Sequence, residues 1–118
     1  MGVTSRTKGN RAEHAAAGYL RSRGFEIVGR NYTIRGGEID IIARDGEQVV
    51  FFEVKSSSGA MSAVEMVSER KRAVLIRTCR YWLQKHNASD ADWRIDFVGV
   101  EMQKGRIERL VHLENAIF

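Results

Sequence analysis

Two charged residues stand near the end of a segment that otherwise has the composition of a buried strand. The stretch VVFFEVK, residues 49–55, has five apolar residues together with Glu53 and Lys55. Strand alternation sends Glu53 and Lys55 to the same face. A charge in apolar surroundings is costly unless it is paired or binds a metal. We therefore treat this pair either as part of a reactive site or as a structural ion pair.

A second carboxylate is predicted to lie beside this pair. Asp40 shares a strand face with Glu38 and Ile42, and the Asp45-Gly46 pair predicts a tight hairpin turn between the two segments. The hairpin brings Asp40 next to Glu53. The sequence thus predicts a cluster of carboxylates with a lysine beside it.

Such a cluster suits a hard divalent cation, Mg2+ or Mn2+, which prefers oxygen ligands. We predict Asp40, Glu53 and the main-chain carbonyl of Val54 as ligands. Lys55 is then placed to orient a water or to neutralise charge on a phosphodiester under attack. This is the chemistry of a hydrolytic nuclease.

Three further charged residues have both a functional and a structural interpretation. Helical spacing places Glu13 on the inner face of the first helix, where it could support the site, but Asn10 and Glu13 also have capping-box spacing. Glu38 is a turn charge, a ligand or a partner of the ligands. Lys71 lies on the apolar side of the second helix, where a lysine either extends its ammonium to solvent or acts in the site.

Other charged and aromatic residues favour structural roles. Asp96 alternates with Arg94 on a strand and pairs with it in the simplest interpretation. The three histidines lack zinc-ligand spacing, and both tryptophans are expected in the core.

The basic residues predict a polyanionic partner. The net charge is +4, residues 1–35 hold seven basic groups against two acidic ones, and residues 65–86 hold six against two. Both clusters bordering one cleft would suit a phosphate backbone. The predicted nucleic-acid-binding residues are Lys8, Arg11, Arg35, Arg70 and Arg72.

These residues need a scaffold that the hydrophobic pattern supplies. Helices are predicted over residues 10–23 and 68–86, and strands over 25–35, 38–43, 48–55, 93–102 and 106–115, with a small-residue loop over 56–63. The order is α-β-β-β-α-β-β. We predict one α/β domain over residues 1–118, with a mixed sheet of about five strands flanked by helices and a parallel fourth strand after the helical crossover.

Composition argues against some other classes. No apolar run approaches the roughly 20 residues of a membrane span, and the single cysteine, Cys79, makes no internal disulfide. We expect a cytoplasmic protein with no membrane partner.

The motifs together carry a family resemblance. Gly37-Glu38-Ile39-Asp40 followed by Phe52-Glu53-Val54-Lys55 resembles the PD-(D/E)xK nuclease superfamily. Nearly the whole chain is similar to the YraN family of uncharacterised endonuclease-like proteins, through these motifs and the segments Gly9 to Leu20, Gly24 to Tyr32, Lys71-Arg72, Arg94 to Val98 and Glu114 to Phe118.

The resemblance implies a restriction-endonuclease-like three-layer core, as in archaeal Holliday-junction resolvases, and a role for Glu13 in the site. It also implies a DNA substrate, linear or branched. Because four-way junctions are two-fold symmetric, it favours a homodimer. Ile39 stands where the superfamily has proline, and Ser56 and Ser57 stand where the family often has threonine and arginine. A nucleic-acid-binding module without cleavage activity, or a domain whose charges only pair, are the alternatives.

Overall fold

The computed structural model describes residues 5–57 and 68–116, without the side chains of residues 5–9 and Ser57. These residues form two helices and five strands in the predicted order α-β-β-β-α-β-β. The helices are α1 (Ser5–Ser22) and α2 (Glu69–Lys85). The strands are β1 (Glu26–Ile34), β2 (Gly37–Asp45), β3 (Gln48–Ser57), β4 (Trp93–Gln103) and β5 (Arg106–Leu113).

The five strands form one mixed sheet in the order β1-β2-β3-β4-β5. All neighbouring strands are antiparallel except β3 and β4, which are parallel. A parallel neighbour needs a long crossover, and α2 supplies it. The predicted mixed α/β sheet is therefore confirmed.

Helix α1 begins earlier than the sequence predicts and ends where it predicts. It starts at Ser5, so Asn10 lies inside the helix and cannot cap it. The capping-box interpretation of Asn10 and Glu13 is therefore wrong. At the other end Gly24 has a φ of +94°, and the Phe25 amide donates to the Leu20 carbonyl at 3.0 Å. This is a Schellman ending, which needs the left-handed conformation that glycine adopts without strain.

Helix α2 begins one residue after Ser68, whose hydroxyl accepts a hydrogen bond from the Lys71 amide at 3.1 Å. A serine at this position satisfies an amide that has no partner within the helix. The inner side of α2 includes Leu75, Cys79 and Trp82, all buried, and Trp82 lies in the core as predicted. Burial raises the pKa of the Cys79 thiol, which therefore stays protonated.

The two helices cover opposite faces of the sheet. One apolar cluster joins α1 to the face of β3 that carries Val50 and Phe52. The other cluster joins α2 to the face that carries Val49 and Phe51. This confirms three layers and the predicted alternation along β3. Among the described residues, no helix is long and apolar enough to span a membrane.

Strict alternation along β2 is wrong at one point. Ile39 packs with Ile42 in the α2-side cluster, although an odd and an even position of a regular strand point to opposite faces. Pairing of β2 with β3 runs only from Asp45 to Ile41, whereas pairing with β1 continues to Gly37, so beyond Ile41 the strand is held along one edge only. The irregularity therefore falls at Asp40.

The predicted loop over 56–63 also begins too early. Ser56 and Ser57 belong to β3 and pair with Val100 and Glu101 of β4. Residues 58–63 lie outside the described part of the chain.

Candidate active site

The candidate site lies where β2 and β3 stop pairing. The last paired residues are Ile41 and Phe52, and one further step of the same register would put Asp40 opposite Glu53. Instead, the Val54 amide donates a hydrogen bond to Asp40 Oδ2 at 2.7 Å. The Asp40 side chain thus satisfies a β3 amide that has left the β2 ladder. The predicted pair of neighbouring carboxylates is present.

Glu53 is the most buried charged group on this side of the sheet, with 6% of its surface exposed. It shares the face of Phe51, under α2. Lys55 Nζ lies 3.3 Å from Glu53 Oε1, and Lys71 Nζ lies 2.9 Å from the same oxygen. The predicted Glu53–Lys55 contact exists, and Lys71 joins it from α2 as a second ammonium.

Lys71 is held at the site by the first turn of α2. The main-chain amide of Lys71 donates a hydrogen bond to the Ser68 hydroxyl. This bond fixes the point at which the Lys71 side chain leaves the helix. Burial alone would lower the pKa of Lys71, but a side-chain hydrogen bond with Lys55, the hydrogen-bonded ion pair with Glu53 and the charge of Asp40 together outweigh that effect and raise it. Lys71 is therefore a stable cation that faces Glu53.

Asp40 is the carboxylate whose titration the site perturbs most clearly. Burial, followed by repulsion from Glu53, raises the pKa of Asp40 from 3.8 to about 7, against the lowering effect of the Val54 amide. The more distant charges of Glu13 and Glu38 add to the rise. Near neutral pH, Asp40 therefore binds a proton, or another cation, more readily than an ordinary aspartate does.

Glu13 lies on the α1 side of the same region. It is 6% exposed, as the inward-facing interpretation predicts, and Arg30 Nε of β1 contacts its Oε1 at 3.3 Å. Arg30 was not among the predicted site residues. The sequence holds a signal for it, because β1 pairs with β2 and Arg30 falls opposite Ile41, one residue from Asp40.

Two depressions meet at Asp40. The first, on the α2 side, has a volume of about 510 Å³, and the second, on the α1 side, has a volume of about 580 Å³. Lys55, Lys71 and Glu53 line the first, and Glu13 lines the second. The residues that line both are Thr33, Glu38, Asp40 and Val54. The exposed Glu38 side chain thus borders both depressions beside Asp40.

The oxygen-rich part of the site has the donor chemistry for a hard divalent cation. Asp40 and Glu53 approach across the separated strands, and burial with mutual repulsion already makes Asp40 hold a proton near pH 7. Oxygen ligands are what Mg2+ and Mn2+ prefer. Within residues 5–57 and 68–116, no set of three or more histidine, cysteine, aspartate or glutamate side chains is grouped for metal binding. Two carboxylates and the Val54 carbonyl, with water, are the available ligands.

The predicted nucleic-acid contacts do not all lie together. Arg35 is exposed in the β1–β2 turn beside the first depression, and Arg70 is exposed at the start of α2. Arg72 is half-buried, with Nη1 at 3.7 Å from Glu69. Arg11 lines a separate, largely apolar depression with Met102 and Ile107. The side chain of Lys8 lies outside the described part of the structure.

A second charged network lies away from this site. The fully buried Asp96 accepts hydrogen bonds from Arg94 Nε at 2.9 Å, from the Asn115 amide at 2.8 Å and pairs with His112 Nε2 at 2.8 Å. Burial would raise the pKa of Asp96, but these partners outweigh it and hold the pKa below its usual value. The Arg94–Asp96 pair is confirmed. The sequence pattern does not predict the contact of His112, which the β4–β5 hairpin brings back to Asp96.

Comparison with known proteins places the chain. A family model described as "Uncharacterised protein family UPF0102" matches residues 12–100, which is most of the chain. The chain belongs to the UPF0102 family. The match includes Glu13, Asp40, Glu53, Lys55 and Lys71, so the whole candidate site lies within the UPF0102 region.

Individual UPF0102 proteins are similar over three quarters of the chain or more. One from Carboxydothermus hydrogenoformans is 40% identical over 106 residues, covering 88% of this chain and 90% of its own. One from Vibrio cholerae serotype O1 is 40% identical over 119 residues, covering 98% and 95%. One from Thermotoga petrophila is 42% identical over 89 residues, covering 75% and 82%.

Proposed function

We propose that this UPF0102 protein is a divalent-metal-dependent endonuclease that hydrolyses phosphodiester bonds of DNA, including branched or otherwise structured DNA. The observation that carries the proposal is the juxtaposition of Asp40, Glu53 and Lys55 at the point where β2 and β3 separate. The resemblance of these residues to the PD-(D/E)xK nucleases and the archaeal Holliday-junction resolvases agrees with it.

The chain's own residues have distinct roles in this proposal. Asp40, Glu53 and the Val54 carbonyl hold Mg2+ or Mn2+, which when bound supplies Lewis-acid stabilisation of charge on the attacked phosphate. Lys55 donates hydrogen bonds to a phosphate oxygen or to the attacking water. In the hydrolysis the water oxygen forms a bond to phosphorus, and the bond from phosphorus to the leaving sugar oxygen breaks.

Two further side chains tune this arrangement. Lys71 balances the charge of Glu53, with which it makes the shorter of the two lysine contacts. Lys55 makes the longer contact, so separating its ammonium from Glu53 costs less electrostatic energy. In this proposal Lys55 is the lysine that turns to the substrate. Glu13, held by Arg30, borders the depression on the other side of Asp40 and is placed to accept a proton or a hydrogen bond from water there.

The experiment is a cleavage assay on linear, flapped and four-way-junction DNA with Mg2+ or Mn2+. We expect the wild type to cut at least one of them, and Lys55→Gln to reduce the rate about 100-fold while metal binding persists. Lys104→Gln is the matched control, because Lys104 is an exposed lysine in the β4–β5 turn. Absence of cutting by the wild type on all three substrates would contradict the proposal.

A nucleic-acid-binding module without cleavage activity is the second candidate. The observation that favours it is that both Lys55 and Lys71 already pair with Glu53, so the charge of Glu53 is balanced without a metal. This candidate predicts salt-dependent DNA binding, no cutting, and no metal requirement. On either candidate, a two-fold symmetric junction would be bound by a homodimer.

A further inference from the structure

The solvent side of α2 carries a row of side chains of which only Arg70 has been given a role so far, as a predicted nucleic-acid contact. Helix α2 contains six basic residues and one acidic residue. Lys71 serves the candidate site, and Arg72 contacts Glu69. The other basic residues of the helix are exposed: Arg70, Arg77, Arg80 and Lys85.

Helical spacing arranges part of this set in a line. Arg70, Arg77 and Tyr81 are separated by seven and four residues, so they lie on one side of the helix, about 10 Å and about 6 Å apart along its axis. Tyr81 is 42% exposed, so part of its ring is accessible from solvent. The row therefore combines positive charge with an accessible ring.

The row continues directly into the candidate site. A Cβ on Gly36, in the β1–β2 turn, would lie 3.2 Å from Arg77 Nη2, so the Arg77 guanidinium reaches that turn. Gly36 lines the depression that contains Asp40, Glu53 and Lys71. From Lys71 to Tyr81 is ten residues, about 15 Å along the helix axis. This equals roughly four base steps of a B-form strand.

The ring of Tyr81 has aromatic and basic neighbours. Lys85 Nζ lies 5.8 Å from the centre of the Tyr81 ring. Tyr32 of β1 lies near enough to be affected by Tyr81. Burial raises the pKa of Tyr32, and the Tyr81 hydroxyl raises it further. Aromatic rings flanked by basic side chains are the usual platform for unstacked bases, since every base offers a flat face and every nucleotide a phosphate.

We infer that the row Arg70, Arg77 and Tyr81 on α2, with the exposed Arg80 beside it, is a docking surface for the nucleic-acid arm that leaves the active site, with Tyr81 stacking on an unpaired base of that arm. This inference rests on the proposed nucleic-acid substrate and adds a feature to it. Duplex DNA keeps its bases stacked, so Tyr81 gives a preference for strands with unpaired bases, as in flaps, junctions or single strands. The three arginines contact phosphates and give no sequence preference.

The test is fluorescence anisotropy with labelled single-stranded, flapped and duplex DNA in EDTA, so that no cleavage takes place. We expect Tyr81→Leu to weaken binding of the single-stranded and flapped DNA about tenfold and of the duplex much less, with Tyr81→Phe binding as the wild type does. Equal affinity of Tyr81→Leu and Tyr81→Phe for all three DNAs would overturn the stacking role.

The arginines are tested by the salt dependence of binding. Arg77→Gln should weaken the binding of all three DNAs by a similar factor. It should also reduce the slope of log affinity against log salt by about one. Arg109→Gln is the matched control, an exposed arginine on the edge strand β5. If Arg77→Gln and Arg109→Gln bind the three DNAs with the same affinity and salt dependence, the assignment of the docking surface to α2 is wrong.

The outcome is separable from that of the proposed function. An effect of Tyr81→Leu on binding by a protein that never cuts DNA supports the docking surface and contradicts the nuclease proposal. Metal-dependent cutting by the wild type, together with unchanged DNA binding by the α2 variants, supports the nuclease proposal and contradicts the docking surface.

Discussion

The Asp40 carboxylate accepts a hydrogen bond from the Val54 main-chain amide at 2.7 Å, one residue beyond the last pair of β2 and β3. One side chain therefore both satisfies the backbone of the neighbouring strand and places a negative charge beside Glu53. Burial and the charge of Glu53 disfavour the ionised form of Asp40, whereas the Val54 amide needs only an acceptor oxygen. A substitution can therefore remove the charge and keep the acceptor.

The first prediction uses two variants of Asp40. Asp40→Asn keeps an oxygen that can accept from the Val54 amide and removes the charge, so we expect a free energy of unfolding at pH 8 equal to or above that of the wild type. Asp40→Ala leaves the amide without its acceptor and should lower the free energy of unfolding by about 1–3 kcal/mol. Urea denaturation followed by circular dichroism measures both. A loss of stability in Asp40→Asn as large as in Asp40→Ala would contradict this account.

The second prediction concerns pH. The folded-state pKa of Asp40 is about 7, above its ordinary 3.8, so the folded protein keeps a proton there that the unfolded chain has already lost. The contribution of this group to stability therefore falls as pH rises through that interval and is constant above it. A cation needs the ionised carboxylate, so the affinity for Mn2+ should rise up to about pH 7 and then level off.

Calorimetry in two buffers of different ionisation enthalpy checks this. Below about pH 7, Mn2+ binding by the wild type should release protons, and above about pH 8 it should release almost none. A proton release that is independent of pH would argue against Asp40 as a ligand.

The third prediction concerns the Asp96 network. Asp96 is fully buried and its pKa is held below the usual value, so its stabilising effect is present above about pH 4 and is lost as pH falls further. Asp96→Ala removes the acceptor of Arg94 Nε and of the Asn115 amide, while Arg94 keeps its hydrogen bond to Gln48, and should lower the free energy of unfolding by about 3–5 kcal/mol at pH 7. His112→Phe keeps the ring packing against Tyr19 and should cost less.

Urea unfolding at pH 7 and at about pH 3 measures the difference, which should shrink at the lower pH. The folded Asp96 variant should bind Mn2+ as the wild type does, because the network lies apart from Asp40. A large loss of metal affinity at a temperature where the variant remains folded would show that the two networks are coupled.

The fourth prediction concerns the contact between β2 and α2. A Cβ on Gly37 would collide with Thr78 Oγ1 and approach Val74 Cγ1 to 3.3 Å. Only glycine lets the start of β2 pack this closely on α2, and that packing fixes the strand that carries Asp40. Gly37→Ala should lower the free energy of unfolding by about 1–3 kcal/mol and weaken Mn2+ binding.

A double-mutant cycle separates this cause from a general backbone effect. Thr78→Ala removes the colliding hydroxyl, so Gly37→Ala should cost less in the Thr78→Ala background, with a coupling of about 0.5–3 kcal/mol. Additive effects of the two substitutions would show that the collision is not the cause.

The sequence predicts much of this architecture because its patterns are local. Alternation along VVFFEVK, a tight turn between β2 and β3 and the end of the first helix before Gly24 depend on residues close in the chain, and each is confirmed. The turn lies one residue later than the Asp45-Gly46 pair predicts, because Asp45 still pairs with Gln48 and the turn residues are Gly46 and Glu47. The start of α1 was placed too late, because Asn10 has the chemistry of a cap but lies within a helix that continues back to Ser5.

Long-range contacts at the site were harder to predict. The contact between Lys71 and Glu53 depends on how α2 sits over the sheet, and periodicity alone gives only the side of the helix. Arg30 beside Glu13 and His112 beside Asp96 depend on strand register, which no single segment contains. The break at Asp40 follows from strand separation and overrides regular alternation.

Calorimetric titration of Mn2+ into the wild type, Asp40→Asn and Asp45→Asn tests the central claim most directly. Asp45 is an exposed aspartate at the opposite end of β2, so it controls for loss of charge from that strand. We predict that the wild type and Asp45→Asn bind Mn2+ alike and that Asp40→Asn binds at least about tenfold more weakly. Binding by Asp40→Asn equal to that of the wild type, or no binding by the wild type, would contradict the assignment of Asp40 and Glu53 as a metal site.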